Sequence, residues 1–165
     1  MRWLLVCWFV WAPLVAAASP VTTVEPVPFG HDDPSTIDFG DYTSLTLMVN
    51  AWEALEDEEG EAVEAYTTTC INFYSSQATQ QQAALSKIVD WRKEGKDAAF
   101  ANWALNDVAT CYFIRGVSRM RQGKHAEAKA DFETIIKDFS YALCWDPKGW
   151  FWSVAEGAKH RANQL

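Results

Sequence analysis

The sequence lacks the short motifs that mark the common enzyme classes. It contains no G-x-S-x-G nucleophile motif, no H-E-x-x-H zinc motif and no glycine-rich phosphate loop, and it has no strand-rich segment that could carry one. Its three histidines fall in a linker, at a helix start and near a helix end, so we expect them to be surface residues: His31, His125 and His160. The sequence therefore predicts a noncatalytic protein with no cofactor and no bound metal.

Basic residues are also scarce. The chain has 14 Lys and Arg against 22 Asp and Glu, and its formal net charge is −8. Nucleic acids and anionic lipid surfaces bind proteins through basic patches. The charge balance therefore argues against both as partners and favours an acidic, solvated surface.

The N-terminus shows the pattern of a signal peptide. Arg2 supplies a positive charge, residues 3–15 form an apolar run, and Ala16-Ala17-Ala18 matches the small residues before a signal-peptidase site. The run is shorter than the roughly 20 apolar residues that span a bilayer, and no second run is long enough. We predict a signal peptide over residues 1–18 and a periplasmic or secreted protein with no membrane contact after cleavage. A retained anchor is the alternative.

A change in composition separates two further segments. Residues 19–43 are rich in Pro, Gly, Ser, Thr and Asp, and neither a helical nor a strand period develops there, so we expect a flexible linker or arm. Residues 44–165 carry helical periodicity and are predicted to form one helical domain.

Two helices are predicted in the first half of this domain. The first runs from Ser44 to about Glu58, a turn follows at Gly60, and the second helix continues to Leu85. One face of each carries apolar residues at three- and four-residue spacing: Met48, Ala51, Trp52 and Leu55 in the first, and Ala62, Tyr66, Cys70 and Phe73 in the second. The run Gln80-Gln81-Gln82 is expected on a solvated face.

Three more helices are predicted in the second half. A loop over residues 91–97 leads into a long helix from Ala98 to Gln122, and a further helix covers residues 125–139. That helix has the cleanest apolar stripe in the chain: Ala128, Phe132, Ile135, Ile136 and Phe139. Asp146-Pro147 favours the start of a last helix. Its inward face would carry Trp150, Val154, Ala155 and Ala158.

The segment from Cys111 to Phe139 resembles a tetratricopeptide repeat (TPR). Its small and large residues stand at the positions that the repeat requires: Gly116, Gly123, Ala128 and Phe132. Ala62 and Tyr66 match the spacing of the last two more weakly, 66 residues earlier. A hidden middle repeat could explain that separation, but the absence of a turn signal near Val108 favours the long helix. The chain thus resembles a small exported bacterial TPR protein with about two repeats, the first degenerate, and a C-terminal capping helix.

The resemblance implies a function in binding. The first helix of each TPR pair lines a concave face that holds a peptide or a folded protein, and Phe113, Val117, Met120 and Arg121 would face that groove here. We therefore expect a noncatalytic protein–protein interaction adaptor of the bacterial envelope or secreted fraction.

Two other functions are kept as alternatives. Trp145, Trp150 and Trp152 lie in one short segment with Phe151, and a ring exposed there, such as that of Trp152, could stack on a sugar. A glycan-binding module is therefore the second hypothesis. A carbohydrate-active enzyme or its accessory subunit is the third.

Whether the cysteines form a disulfide depends on whether the protein is exported, as predicted. An oxidising compartment favours disulfides, and packing of the second helix against the third would bring Cys70 and Cys111 to the same level. We predict a disulfide between them, with Cys144 free. Three buried thiols are the alternative, because cysteine is also a small apolar core residue.

Overall fold

The computed structural model describes residues 36–85, 96–146 and 148–165. Six helices contain 73% of these residues, and two short strands form a hairpin, so the fold is all-α at a coarse level, as predicted. Within these ranges no helix has the length and apolar character needed to cross a bilayer. The predicted signal peptide, residues 19–35 of the predicted linker and most of the predicted loop over 91–97 lie outside the described residues.

The elements surround one central helix. In chain order they are α1 (Ser44–Glu56), α2 (Gly60–Leu85), α3 (Lys96–Ala101), α4 (Trp103–Arg121), α5 (His125–Asp138), β1 (Leu143–Asp146), β2 (Trp150–Ser153) and α6 (Val154–Ala162). Helix α4 packs against α1, α2, α5, α6 and β1. The largest fully buried apolar side chains meet around it: Leu47, Val63, Leu105, Val108, Ile114, Phe132, Ile135 and Val154.

The strongly periodic helices form where they were predicted. The bounds of α1, α2 and α5 agree with the sequence prediction to within two residues. The N-cap of α1 is Thr43, whose hydroxyl accepts a hydrogen bond from the Thr46 amide. The buried residues of α2 are Val63, Thr67, Cys70, Ile71, Ala78 and Leu85.

The buried face of α2 differs from the predicted one. Phe73 was expected inside but is 60% exposed. Ala62 and Tyr66 are only half-buried, and the Tyr66 hydroxyl donates to the Asp38 carbonyl at 3.1 Å while its ring meets Phe39 edge-on. The predicted small–large pair of the first unit therefore packs partly under residues 38–42.

The predicted long third helix is wrong, because the chain breaks at Asn102. Its amide side chain donates to the Ala98 carbonyl and closes α3, but gives α4 no cap. Gln81 of α2 supplies that cap: its Oε1 accepts from the Leu105 amide at 2.8 Å, and its Nε2 donates to the Ala101 carbonyl at 3.4 Å. One glutamine therefore satisfies backbone groups on both sides of the break.

The neighbouring Gln82 also makes a long-range contact. Its Nε2 donates to the Ser140 hydroxyl at 3.0 Å, and its Oε1 accepts from the Tyr141 amide at 3.1 Å. The prediction that this glutamine run lies on a solvated face is wrong for Gln81 and Gln82, which are both half-buried.

The predicted helix start at Asp146 is also wrong. Strands β1 and β2 pair in antiparallel fashion, with Cys144 opposite Trp152 and Asp146 opposite Trp150. Consecutive aromatic residues at 150–152 fit a strand, in which side chains alternate between faces. Trp150 was predicted inside but is 49% exposed. Helix α6 begins only at Val154, capped by the Ser153 hydroxyl, and it buries Val154, Ala155 and Ala158 as predicted.

The glycines at 116 and 123 act as the sequence predicted. A Cβ atom on Gly116 would lie 2.6 Å from Cε1 of Phe132, so only glycine permits this approach of α4 and α5. Gly123 has a φ of +75°, and its amide donates to the Met120 carbonyl as α4 ends. Ala128 is fully buried on the facing side of α5.

A buried ion network joins α2, α4 and α5. The Asp131 carboxylate, 4% exposed, accepts from Nη2 of Arg115 at 2.7 Å and from Nη1 of Arg119 at 2.9 Å. Arg115 also donates to the Thr68 hydroxyl, and Arg119 to the Glu64 carboxylate, both on α2. Three helices are therefore held through one carboxylate.

The three cysteines that the structure describes are buried free thiols, which is the alternative to the predicted Cys70–Cys111 disulfide. Cys70 and Cys111 face each other across α2 and α4, but the predicted disulfide is absent from the structure. Burial raises the pKa of the Cys111 thiol well above its ordinary value, and the neighbouring Cys70 thiol adds to the effect.

We predict that Gly116→Ala lowers the free energy of unfolding by about 1–3 kcal/mol, because the added methyl group overlaps the fully buried Phe132 ring. Gly60→Ala is the control, since its methyl group would meet only the flexible end of Gln122. Denaturant titrations of both variants give the comparison. An unchanged Gly116→Ala midpoint would contradict the close packing.

We predict that Asp131→Asn costs about 3–5 kcal/mol of stability, because the largely buried Arg115 guanidinium loses its counter-charge and that of Arg119 keeps only Glu64. Glu133→Gln is the control: its carboxylate is 63% exposed and lies 3.9 Å from Lys129, so a change of at most about 0.5 kcal/mol is expected. An equal loss of unfolding free energy in the two variants would refute the role of Asp131 as a buried counter-charge.

Candidate interaction surface

The four residues predicted to line a groove do not form one exposed face. Phe113 and Val117 are only 8% and 4% exposed, and Met120 is half-buried. Arg121 is exposed, but it donates from Nη1 to the Leu55 carbonyl at 2.8 Å and so binds the end of α1. The apolar members belong mainly to the core, because elements on both sides of α4 cover them.

Aromatic rings from α1 and β2 cover Phe113. Trp52 of α1 lies 6.3 Å from it and Trp152 of β2 lies 5.2 Å from it, centroid to centroid. Gly157 lets α6 approach this cluster, since a Cβ there would lie 2.9 Å from the Trp152 ring. The predicted interior of the groove is thus filled by the protein's own side chains.

The exposed apolar residues next to this cluster lie on α1. Leu45 and Val49 are 60% and 40% exposed, and Met48 and Trp52 are half-buried beside them. Positions 45, 48, 49 and 52 share one side of a helix. The opposite side carries the buried set Leu47, Ala51, Ala54 and Leu55. We call Leu45, Met48, Val49 and Trp52 the α1 surface.

Two contacts fix α1 on the central helix. At its start, the Ser44 hydroxyl donates to Oδ2 of Asp107 at 2.5 Å, and both residues are buried. At its end, Arg121 binds the Leu55 carbonyl. The α1 surface is therefore held on a rigid support, which favours specific recognition.

Burial raises the pKa of Asp107 to about 6, and the hydrogen bond from Ser44 opposes the shift. Cys111 and Cys144 lie near this carboxyl group, and the pKa of Cys144 is raised to about 11, chiefly by burial. Ser44 is 3% exposed and its partner is an acid rather than a histidine base, so this pair is a structural contact and not an activated nucleophile.

Negative charge continues from the α1 surface toward α2. Glu53 and Glu56 follow on the outer side of α1, and the turn and the first residues of α2 add Asp57, Glu58, Glu59 and Glu61. All six are exposed. The outer side of α1 is therefore apolar over its first half and acidic over its second.

A second aromatic group lies where residues 38–43 meet α2. Tyr42 stacks against Phe39 and Phe73, at 5.5 and 6.1 Å, and Trp103 packs edge-on against Tyr74. Tyr42, Phe73 and Trp103 remain 40–60% exposed. The Tyr74 hydroxyl donates to the Tyr42 carbonyl at 2.9 Å, so these rings also hold residues 38–42 on the domain.

The predicted glycan contact, Trp152, is not an exposed ring, because it packs against Phe113 and Gly157. The exposed tryptophan of the hairpin is Trp150, with the Lys148 ammonium 5.9 Å from its ring centroid.

Among the residues that the structure describes, no three His, Cys, Asp or Glu side chains are grouped as a metal site would require.

Comparison of the chain with protein-family models, with curated proteins and with solved structures finds no match. The family resemblance therefore rests on the residues quoted for it.

Sequence reasoning missed Leu45 and Val49, although two signals for them exist. Helix α1 is apolar on two sides, and a helix that buries only one side leaves the other available. In addition, no Lys or Arg occurs between Arg2 and Lys87, which sets the α1–α2 region apart by charge.

We predict that Asp107→Asn stabilises the protein increasingly as pH rises. Below about pH 4 the wild-type carboxyl is protonated in both the folded and unfolded states. Between its ordinary pKa and about 6 only the unfolded state loses the proton, so wild-type stability falls, by up to about 3 kcal/mol relative to the variant. Unfolding free energies of both proteins at pH 4 and pH 7 measure this. A difference that does not change with pH would contradict the buried carboxyl.

Proposed function

We propose that the protein is a noncatalytic adaptor that binds a peptide or protein segment through the α1 surface. The observation that carries the proposal is that α1 is apolar on two sides, of which only one is buried. Leu45 and Val49 precede Trp52 on the same side of α1 by about two turns and one turn, and the Trp52 ring packs against Phe113, which in turn meets Trp152. Contiguous exposed apolar surface of this kind marks interaction sites.

The packing order of the helices supports a TPR-like interpretation. Helices α1 and α2 pack together, as do α4 and α5, α4 contacts both helices of the first pair, and α6 packs on α5 and α4. This order suits two helical hairpins and a capping helix, with α1 and α4 as the first helices of their pairs. Three features depart from a regular repeat: the length of α2, the short α3 and the hairpin inserted before α6.

The predicted signal peptide supports a proposed location in the bacterial periplasm or the secreted fraction. The acidic surface suits a protein partner and disfavours nucleic acid.

Glycan binding is a second candidate function, favoured by the hairpin. The Trp150 ring is 49% exposed, and the rings of Trp145 and Phe151 on the other face of the hairpin pack with Phe100 at 4.9–6.0 Å. Exposed rings of this kind stack on sugars. Retention on a polysaccharide column that is lost in Trp150→Ala, but kept in Phe73→Ala, would favour this function.

We predict that Leu45→Glu with Val49→Glu abolishes partner recovery without unfolding the protein, because both side chains are largely exposed and surface changes alter stability by about 0.5 kcal/mol or less. Crosslinking and affinity recovery from the native envelope or secreted fraction, followed by mass spectrometry, give the readout. Ala126→Glu with Ala130→Glu, on the exposed side of α5, adds the same charge as a control. Equal recovery of the same partners by all three folded proteins would place the site elsewhere.

A further inference from the structure

We propose that the α1 surface binds a cationic amphipathic helix, with apolar side chains over the first half of α1 and Lys or Arg over the second half. This inference rests on the proposed function and specifies the chemistry of the partner.

The first argument is the order of side chains along α1. Leu45 and Val49 present apolar side chains over its first two turns, and Glu53 and Glu56 extend the same outer side with carboxylates. From Leu45 to Glu56 the helix rises by about 16 Å, or three turns. A partner that matches both halves therefore needs an apolar stripe and a basic end within about three turns.

The second argument is that the acidic charge is largely uncompensated. Residues 36–85 contain nine Asp and Glu and no Lys or Arg. Within the described part of the chain only one of these nine, Glu64, forms a salt bridge, with Arg119. The exposed carboxylates of Glu53, Glu56 and the following turn thus remain available to cations from outside.

The third argument is the direction of the helix dipole. The acidic half of α1 is also its C-terminal half, where the negative end of the helix dipole lies, and the Arg121 guanidinium on the Leu55 carbonyl offsets part of that potential. The last turn of α1 itself contains no basic residue. The dipole and the carboxylates therefore attract the same end of the partner and fix its direction.

A helical partner suits this surface better than an extended one. The outer side of α1 is a ridge of side chains at helical spacing, and a second helix packs its own ridges against such a surface. Helix binding of this kind uses anchors at positions i, i+3, i+4 and i+7.

The test uses the full-length protein and three synthetic helical peptides of 18 residues. The first has a leucine stripe and lysines, and the second has the same stripe with glutamates in place of the lysines. The third has the same amino-acid composition as the lysine peptide in a scrambled order. Trp fluorescence and calorimetry measure binding. We expect the lysine peptide to bind at least about tenfold more tightly than the glutamate peptide, and to weaken as salt rises. The scrambled peptide should bind weakly, since it has no apolar stripe.

Two charge-matched variants make the test specific. Glu53→Lys with Glu56→Lys should weaken binding of the lysine peptide by about tenfold or more. Glu127→Lys with Glu133→Lys changes the net charge equally on α5 and should leave binding unchanged. Equal weakening by both pairs would show attraction to net charge alone and would overturn the inference.

The inference and the proposed function fail in different ways. Equal binding of the lysine and glutamate peptides that still depends on Leu45 and Val49 would overturn the cationic partner and keep the adaptor function. Binding that is insensitive to Leu45→Glu with Val49→Glu would overturn both.

Discussion

The buried carboxylate of Asp131 is the interaction on which the rest of the domain depends. Two arginines of α4 bind it from one side, and the same arginines reach α2 through Thr68 and Glu64. Charges so far from water are tolerated only when each has its partner in place. The network therefore accepts one arrangement of three helices, and the close contact of Gly116 with Phe132 sets how near two of them lie. Helix α4 becomes the fixed frame for every other element.

The α1 surface takes its position from that frame. Buried contacts at Ser44 and at the Leu55 carbonyl hold the two ends of α1, while the aromatic rings of Trp52, Phe113 and Trp152 fill the space between. The core thus needs only one side of α1. On the other side Met48 and Trp52 pack partly against the core, Leu45 and Val49 remain exposed, and the carboxylates beyond them have no basic neighbours on the same hairpin. Both properties suit recognition of another molecule more than stability of this one.

Sequence reasoning succeeded where local pattern decides structure and failed where distant residues decide it. The apolar stripes of α1, α2 and α5 and the glycines at 116 and 123 are local signals, and they placed these helices correctly. The break at Asn102 depends on Gln81, 21 positions earlier, and the path after α5 depends on Gln82, so neither could be predicted from neighbouring residues. Phe113 and Val117 show the same limit for the site, since side chains of other elements bury them. The exposed half of α1 could have been predicted from its two apolar sides.

The cap that Gln81 provides has a consequence for how the domain folds. Asn102 offers α4 no side-chain cap, so the first turn of the central helix gains its hydrogen-bond acceptor only when α2 is already docked. A helix with an unsatisfied first turn is marginal alone. Secondary structure and tertiary contact at this point therefore form together, which couples α2, α3 and α4 into one cooperative unit. Local opening at the α3–α4 junction is then linked to separation of α2 from α4, and hydrogen exchange of the Leu105 amide reports on that larger event.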